Sequence, residues 1–181
     1  MSRTAILAAA ALVVALFAVL TALFAVAAPG VPTAEARRAE AETTAAEREA
    51  ALLAHMIANQ RYVEKAWLAG EAGNWPLATF YAHELEETAE RIVDGGHVDD
   101  GVDVSAIAAE VALPRAQALH AAAEAGDAAR FEVAYGLLID GCNSCHKRSG
   151  HRFIAIQEPD AAAPGAYPSQ DFAPQGPGGD A

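Results

Sequence analysis

The sequence predicts an all-α fold, an antiparallel four-helix bundle, on three observations. Alanine is very abundant and aromatic residues make up only 7% of the 181 residues, a balance that favours helix over strand. Apolar residues recur at spacings of three and four in four separate segments, so each segment has one apolar face. Glycine-containing connections separate the segments, and packing the four helices side by side buries all four faces.

Residues 1–28 are predicted to be a signal peptide or an N-terminal membrane anchor. Arg3 precedes an apolar run from Ala5 to Ala28, and Ala25-Val26-Ala27 offers the small residues that signal peptidases prefer. The run is longer than the ~7–15 residues of a cleaved signal and close to the ~20 that span a bilayer, so both alternatives stay open. In either case we expect a periplasmic chain, soluble or tethered to the inner membrane, with its folded domain in residues 29–158.

The first helix is predicted from about Thr33 to Leu68, and the second begins after the N-cap residue Asn74. Pro76 is tolerated in the first turn of the second helix, and Gly95-Gly96 end it. The inward-facing residues of the first helix are Leu53, Met56, Gln60, Val63 and Trp67. Those of the second helix are Leu77, Tyr81, Leu85, Thr88 and Ile92.

The third helix is predicted to begin at Val104 after a polar loop of residues 97–103, to kink or restart at Pro114, and to end at Gly126. The apolar stripe of the fourth helix consists of Phe131, Tyr135, Leu138, Cys142 and Cys145. Residues 159–181 are rich in proline, glycine and alanine without periodicity, so we expect this tail to be disordered.

The only two cysteines of the chain lie in the motif Cys142-Asn143-Ser144-Cys145-His146. On a helix, positions i, i+3 and i+4 share one side, so both thiols and the imidazole face the same object. In a Cys-x-x-Cys-His motif the thiols form thioethers with the haem vinyl groups and the histidine binds the iron. The motif therefore predicts one covalent haem c on the C-terminal helix, with His146 as the proximal iron ligand. Gly141 is expected to let the porphyrin edge approach the backbone.

Three other interpretations of the motif are a disulfide, a thioredoxin-like redox pair and a zinc site. A disulfide between cysteines three apart on a helix closes a small, strained loop and leaves His146 without a role. A thioredoxin-like pair belongs at a helix N-terminus in a βαβ context, whereas this pair lies late in a helix. A zinc site needs a further ligand from a distant histidine, which the sequence allows without indicating one.

The motif at the end of an exported bundle resembles the cytochrome c-prime and cytochrome c556 class. Within that class, "KAWLAGEAGNWPLATFYAHELEE", "AYGLLIDGCNSCHK" and "HRFIAIQEP" are similar to a group of small bacterial bundle cytochromes, over roughly residues 50–158. The resemblance implies Cys142 and Cys145 as thioether sites and His146 as the proximal ligand. The chain departs from the class at Gly150, where members commonly have a basic residue four positions after the histidine.

The resemblance also implies that the first helix covers the distal side of the haem. A methionine there makes the iron six-coordinate and suits electron transfer, whereas an apolar residue leaves it open to NO or CO. Met56 lies on the inward stripe and is the candidate sixth ligand. Gln60 and Tyr135 are the candidate haem-pocket residues. His55 is a weaker candidate for the iron, His83 and His120 weaker still, and His97 and His151 are expected in loops.

The formal net charge of −12 argues against nucleic acid as a partner, because nucleic-acid binding needs clustered basic residues. A redox partner protein is expected instead. Lys147 and Arg148, next to the motif, either guide such a partner, meet the haem propionates, or are simply solvated. Members of the class often dimerise through their first two helices, which makes a homodimer one expectation. No residues resemble a substrate site with a general acid or base, so the chain is not predicted to be an enzyme.

Overall fold

The computed structural model describes residues 32–159, 167 and 169–175, which are mostly helical, and the all-α prediction is confirmed. The elements in chain order are α1 (Ala34–Glu71), α2 (Trp75–Asp94), β1 (Val98–Asp99), β2 (Val102–Asp103), α3 (Val104–Ile107), a π-helical segment (Ala108–Ala112), α4 (Leu113–Glu124) and α5 (Ala128–Arg148). None of the described helices is both long and apolar enough to cross a membrane. The apolar run of residues 5–28 lies outside the described residues.

The chain divides after Thr43 into two compact units. The described part of the first unit, residues 32–43, is the exposed beginning of α1, where Thr33 Oγ1 accepts a hydrogen bond from the Ala36 amide at 3.1 Å. The second unit begins at Thr44 and contains every other element named above. All the sites described below lie in this second unit.

Side-chain caps fix where the helices of the second unit begin. Asn74 Oδ1 accepts from the Leu77 amide at 3.3 Å at the start of α2, and Pro76 occupies the first turn, both as predicted. Asp127 Oδ1 accepts from the Arg130 amide at 3.1 Å at the start of α5. Each cap satisfies an amide that has no partner within its own helix.

Residues 97–103 form a short hairpin where a polar loop was predicted. Val98 pairs with Asp103 and Asp99 pairs with Val102 across two antiparallel strands. Asp100 has φ +46° and Gly101 has φ +80°. Positive φ at both central residues is typical of the two-residue turn that matches strand twist, for which Asp-Gly is a preferred sequence.

The predicted irregularity near Pro114 takes the form of a π-helical segment. Pro114 has no amide hydrogen, and its ring crowds the carbonyl one turn earlier in a regular α-helix. The chain widens into π geometry over Ala108–Ala112 and returns to α-helix at Leu113. A π-bulge accommodates this strain without breaking the helix.

The largest group of buried apolar residues draws on α1, α2, α4 and α5. At its centre, Tyr135 is completely buried, its hydroxyl donates to the Val63 carbonyl at 3.2 Å, and its ring lies 4.6 Å from that of Trp67. Phe131 packs edge-on against Trp75, with ring centroids 5.7 Å apart. These contacts join α5 to α1 and to the start of α2.

Several described residues of the tail predicted to be disordered, residues 159–181, contact the folded part of the chain. Tyr167 donates a hydrogen bond to Glu64 Oε2 at 2.8 Å, and Phe172 packs against the main core. Asn74 Nδ2 donates to the carbonyls of Phe172 and Ala173 at 3.2 and 3.0 Å. Two aromatic side chains thus supply the apolar burial that composition alone did not indicate.

Candidate functional site

A cavity of about 470 Å³ lies between α1, α2, α5, the α3 and π-helical region, and residues 154–157. Its volume falls within the roughly 300–1,000 Å³ typical of small-molecule and cofactor sites. The α1 wall consists of Leu53, Met56, Ile57, Asn59, Gln60, Val63 and Glu64. The α5 wall consists of Cys142, Cys145 and His146.

Both cysteines and His146 line this one cavity because they lie three and four positions apart on α5. Neither thiol is in a disulfide. Cys145 is buried and Cys142 is partly buried. The motif therefore presents two free thiols and one imidazole to a single, mainly apolar space.

His146 is oriented by a backbone carbonyl of the segment that follows α5. Its Nδ1 lies 3.2 Å from the Ile154 carbonyl oxygen, and burial lowers the pKa of the imidazole. In the neutral ring Nδ1–H donates to this carbonyl, which leaves the Nε2 lone pair free. A hydrogen bond at one ring nitrogen is the usual way in which proteins prepare the other to bind a metal.

Neither thiol has the lowered pKa that favours the thiolate form. Burial, with a smaller contribution from Cys145, raises the pKa of Cys142 to about 11, and burial also raises the pKa of Cys145. Redox-active pairs instead have a depressed pKa, which supplies the thiolate at neutral pH. The site is thus a poor match to the thioredoxin-like interpretation.

The wall formed by residues 154–157 is attached to α5 through Asn143, the first variable residue of the motif. Asn143 Nδ2 donates to the Ile156 carbonyl at 2.9 Å, and Asn143 Oδ1 accepts from the Ile156 amide at 2.8 Å. This two-point contact places the Ile154 carbonyl beside His146. No pattern in the sequence indicated this role for Asn143.

Met56 and Gln60 lie on the α1 wall of the cavity. Met56 is partly buried and packs against a second apolar cluster of Ile92, Val104 and Ala108. Their neighbour Asn59 also lines the cavity, and its buried Oδ1 has no hydrogen-bond partner among the described residues. The α1 wall thus offers one thioether and two amide side chains.

Two residues predicted to lie beside a haem, Tyr135 and Gly141, do not line the cavity. Tyr135 belongs to the core described above and does not line the cavity, because its hydroxyl and ring face α1 at Val63 and Trp67. Gly141 faces the π-helical region: a Cβ there would come within 2.5 Å of Arg115 Cδ and 3.1 Å of the Val111 carbonyl oxygen. Its missing side chain makes room for Arg115 and the Val111 carbonyl, whereas its predicted role beside a porphyrin stays a prediction.

His55 and His97 form a ring pair away from the cavity wall, with centroids 6.1 Å apart. His97, expected in a loop, is 3% exposed, and neither ring nitrogen has a partner among the described residues. A Cβ on Gly95 would come too close to the His97 ring, so this glycine makes room for it.

Some of the charged residues near the motif contact acidic residues of other elements. Arg148 donates to Glu110 Oε2 at 2.7 Å, whereas Lys147 is exposed. His151 Nε2 lies 3.4 Å from Asp99 Oδ2 in β1. Gly150 ends the turn after α5 with φ +87°, a conformation that side chains rarely adopt.

The cysteines have no partners for a zinc site within the described part of the chain. The one cluster of three potential metal ligands found there is His83, Glu86 and His120, which contains neither cysteine. A structural zinc ion requires four protein ligands.

No family model, curated protein or solved structure matches the chain.

Proposed function

We propose that the chain is an exported monohaem c-type cytochrome that transfers one electron and is not an enzyme. The observation that carries this proposal is the arrangement of Cys142, Cys145 and His146 on one wall of an apolar cavity of about 470 Å³. Two free thiols next to an oriented imidazole suit covalent haem attachment better than the thiol or zinc alternatives. A bound haem would supply a one-electron Fe(III)/Fe(II) couple.

Each group of the α5 wall fits a separate role in holding the haem. Cys142 and Cys145 would form the two thioethers, and His146 Nε2 would bind the iron while Nδ1 keeps its hydrogen bond to Ile154. The apolar walls would exclude water and stabilise the less charged, reduced state of the site.

The wider setting is proposed on the resemblance and on the sequence. The proposed fold is an antiparallel bundle of four amphipathic helices with the motif on the last helix, which resembles the cytochrome c-prime and c556 class. Residues 1–28 would export the chain to the periplasm, or also tether it to the inner membrane. A redox protein is the proposed partner, and a homodimer is the proposed assembly.

Met56 is the proposed sixth ligand, because its thioether lies on the wall formed by α1, and α5 contributes the histidine. Apart from Met1 it is the only methionine in the sequence. A methionine-to-iron charge-transfer band would therefore identify Met56 without ambiguity. Axial methionine raises the reduction potential and suits electron transfer.

Asn59 and Gln60 favour a second candidate function, a five-coordinate haem protein that binds NO or CO. Both amides line the α1 side of the cavity, and Asn59 Oδ1 is buried without a partner among the described residues. In this alternative Met56 only packs against the apolar cluster around Ile92, and an amide N–H donates to the bound gas.

The test is expression of the full chain with c-type maturation, followed by intact mass and by ferric, ferrous and ferrous-plus-CO absorption spectra. The proposal expects covalent haem and a low-spin spectrum that CO leaves unchanged. Met56→Leu, which keeps the side-chain volume, should lose the methionine band and gain a CO response, whereas Ile57→Leu on the same wall should change neither.

A high-spin wild-type spectrum that shifts at once with CO would establish the gas-binding alternative. Absence of covalent haem after maturation would overturn both candidates. A haem held by only one thioether in Cys142→Ala and in Cys145→Ala, with both thioethers kept in Gly136→Ala, would tie attachment to the motif.

A further inference from the structure

We propose that His83 and Glu86 of α2, with His120 of α4, form a binding site for a divalent transition metal such as Zn²⁺. The ligand atoms of the three side chains all lie within 4.8 Å of one another. None of the three lines the cavity. The site is therefore separate from the proposed haem site and does not depend on it.

The two helices place these side chains together for simple geometric reasons. His83 and Glu86 are three positions apart and share one face of α2. His120 lies on α4 and faces these two residues. Its ring centroid is 5.1 Å from that of His83, and its Nδ1 is 2.6 Å from Glu86 Oε2.

The distances need little change to accept an ion. Zn–N bonds of about 2.0–2.1 Å in a tetrahedral site imply ligand atoms roughly 3.3 Å apart. The His120–Glu86 pair at 2.6 Å would open slightly as the metal replaces the shared proton, and the wider separations would close by side-chain rotation.

Two further carboxylates surround the cluster. His83 Nε2 lies 3.4 Å from Glu87 Oε1, and His120 Nε2 lies 3.9 Å from Glu124 Oε1. A histidine that binds a metal through Nδ1 keeps its Nε2–H for an acceptor, and a carboxylate is the acceptor that strengthens the metal bond. Each histidine of the cluster has such a carboxylate one helical turn away.

Burial differs across the site in a way that suits reversible binding. The side chains of His120 and Glu86 are 19% and 20% exposed, so these two ligands are held in place by packing. The side chain of His83 is 49% exposed and forms the open side. A metal held by three protein ligands would keep a water on this open side, and a partner could reach it there.

The donor set selects the class of metal. Two imidazoles and one carboxylate suit Zn²⁺, Cu²⁺ or Ni²⁺, whereas Ca²⁺ and Mg²⁺ prefer oxygen ligands alone. The surrounding acidic groups, with Glu87 and Glu124 added to Glu86, would attract any cation toward the site. Binding would fasten α2 to α4.

The test is titration of the purified full-length protein, prepared without a polyhistidine tag, with ZnCl₂ in an isothermal calorimeter. One Zn²⁺ per chain is expected. The haem absorption spectrum should stay unchanged, which distinguishes this site from the iron. Zinc at 100 times its dissociation constant should raise the thermal midpoint by roughly 5–10 °C.

Variants separate the site from general binding to acidic surface. His120→Ala and Glu86→Gln should each weaken binding by more than 100-fold, and Glu124→Gln by about 10–100-fold. His151→Ala removes a histidine that pairs with Asp99 outside the cluster, and it should bind zinc as the wild type does. If His120→Ala fails to fold, the zinc affinity of Glu86→Gln alone tests the site.

Absence of binding to the wild type at 1 mM zinc would overturn the proposal. Equal weakening in His151→Ala, or unchanged binding in Glu86→Gln, would overturn it as well. Retained haem without zinc binding would refute this site alone, and zinc binding without haem would refute only the proposed cytochrome.

Discussion

Gly141→Ala and Gly136→Ala, five residues apart on α5, should change stability in opposite directions. Replacing glycine by alanine inside a helix gains roughly 0.5–1 kcal/mol when the methyl group has room. At Gly136 a Cβ would meet only Glu158 Oε1, at 3.5 Å, which is an ordinary contact. This variant is therefore expected to be stabilised by that amount.

At Gly141 the methyl group has no room. It would lie 2.5 Å from Arg115 Cδ and 3.1 Å from the Val111 carbonyl oxygen. Moving Arg115 aside would break its 2.6 Å hydrogen bond to the same carbonyl, at about 0.5–1.5 kcal/mol, and overpacking costs typically 1–3 kcal/mol. After subtraction of the helix gain, a net destabilisation of about 2 kcal/mol remains.

Thermal unfolding of both variants, followed by circular dichroism at 222 nm, measures the difference. At roughly 2–4 °C per kcal/mol for a chain of this size, the two midpoints should differ by about 5–10 °C. The absorption spectrum of the haem should be the same in both. If Gly141→Ala is as stable as Gly136→Ala but has an altered haem spectrum, Gly141 faces the haem and the packing argument is wrong.

Three more predictions concern residues outside the proposed haem site. Tyr135→Phe removes the hydroxyl that donates to the Val63 carbonyl and should lower the free energy of unfolding in urea by about 0.5–1.5 kcal/mol, with no change in the haem spectrum. A changed spectrum would mean that this ring contacts the haem. Asn74→Ala removes the cap of α2 and both hydrogen bonds to the tail, so it should cost about 1–2 kcal/mol and increase proteolysis after residue 159, whereas unchanged proteolysis would contradict the docked tail. The hydrogen bond from Arg148 lowers the pKa of Glu110 from its ordinary value of 4.5. The pair therefore contributes stability at pH values above 4.5, and this contribution is lost as the pH falls through the lowered pKa. Glu110→Gln should reduce the thermal midpoint at pH 7 and not at pH 2, and equal reductions at the two pH values would refute the ion pair.

Local signals in the sequence were sufficient to predict where most helices begin and where one is irregular. Asn74 before Trp75-Pro76 is a cap whose chemistry acts within one turn, and Pro114 disturbs a helix through its own missing amide hydrogen. Asp100-Gly101 was an equally local turn signal, but the flanking strands are only two residues long and their pattern is correspondingly weak.

The spacing of apolar residues could not predict contacts between residues that are far apart in the sequence. The predicted stripe of α1 contains Met56 and Gln60, which line the cavity. The predicted stripe of α5 gave no means of separating Cys142, which lines the cavity, from Tyr135, which faces the core. Burial of His97 and the pairing of Arg148 with Glu110 depend on how separate elements pack.

The hydrogen bonds of Asn143 affect how far the proposed haem-binding motif can be transplanted. The pattern Cys-x-x-Cys-His treats its two middle positions as free, but here the first of them holds the segment that carries the Ile154 carbonyl. A designer who moved only residues 142–146 to another helical scaffold would transfer the thiols and the imidazole without the group that orients the ring. The smallest portable unit in this chain is residues 142–157.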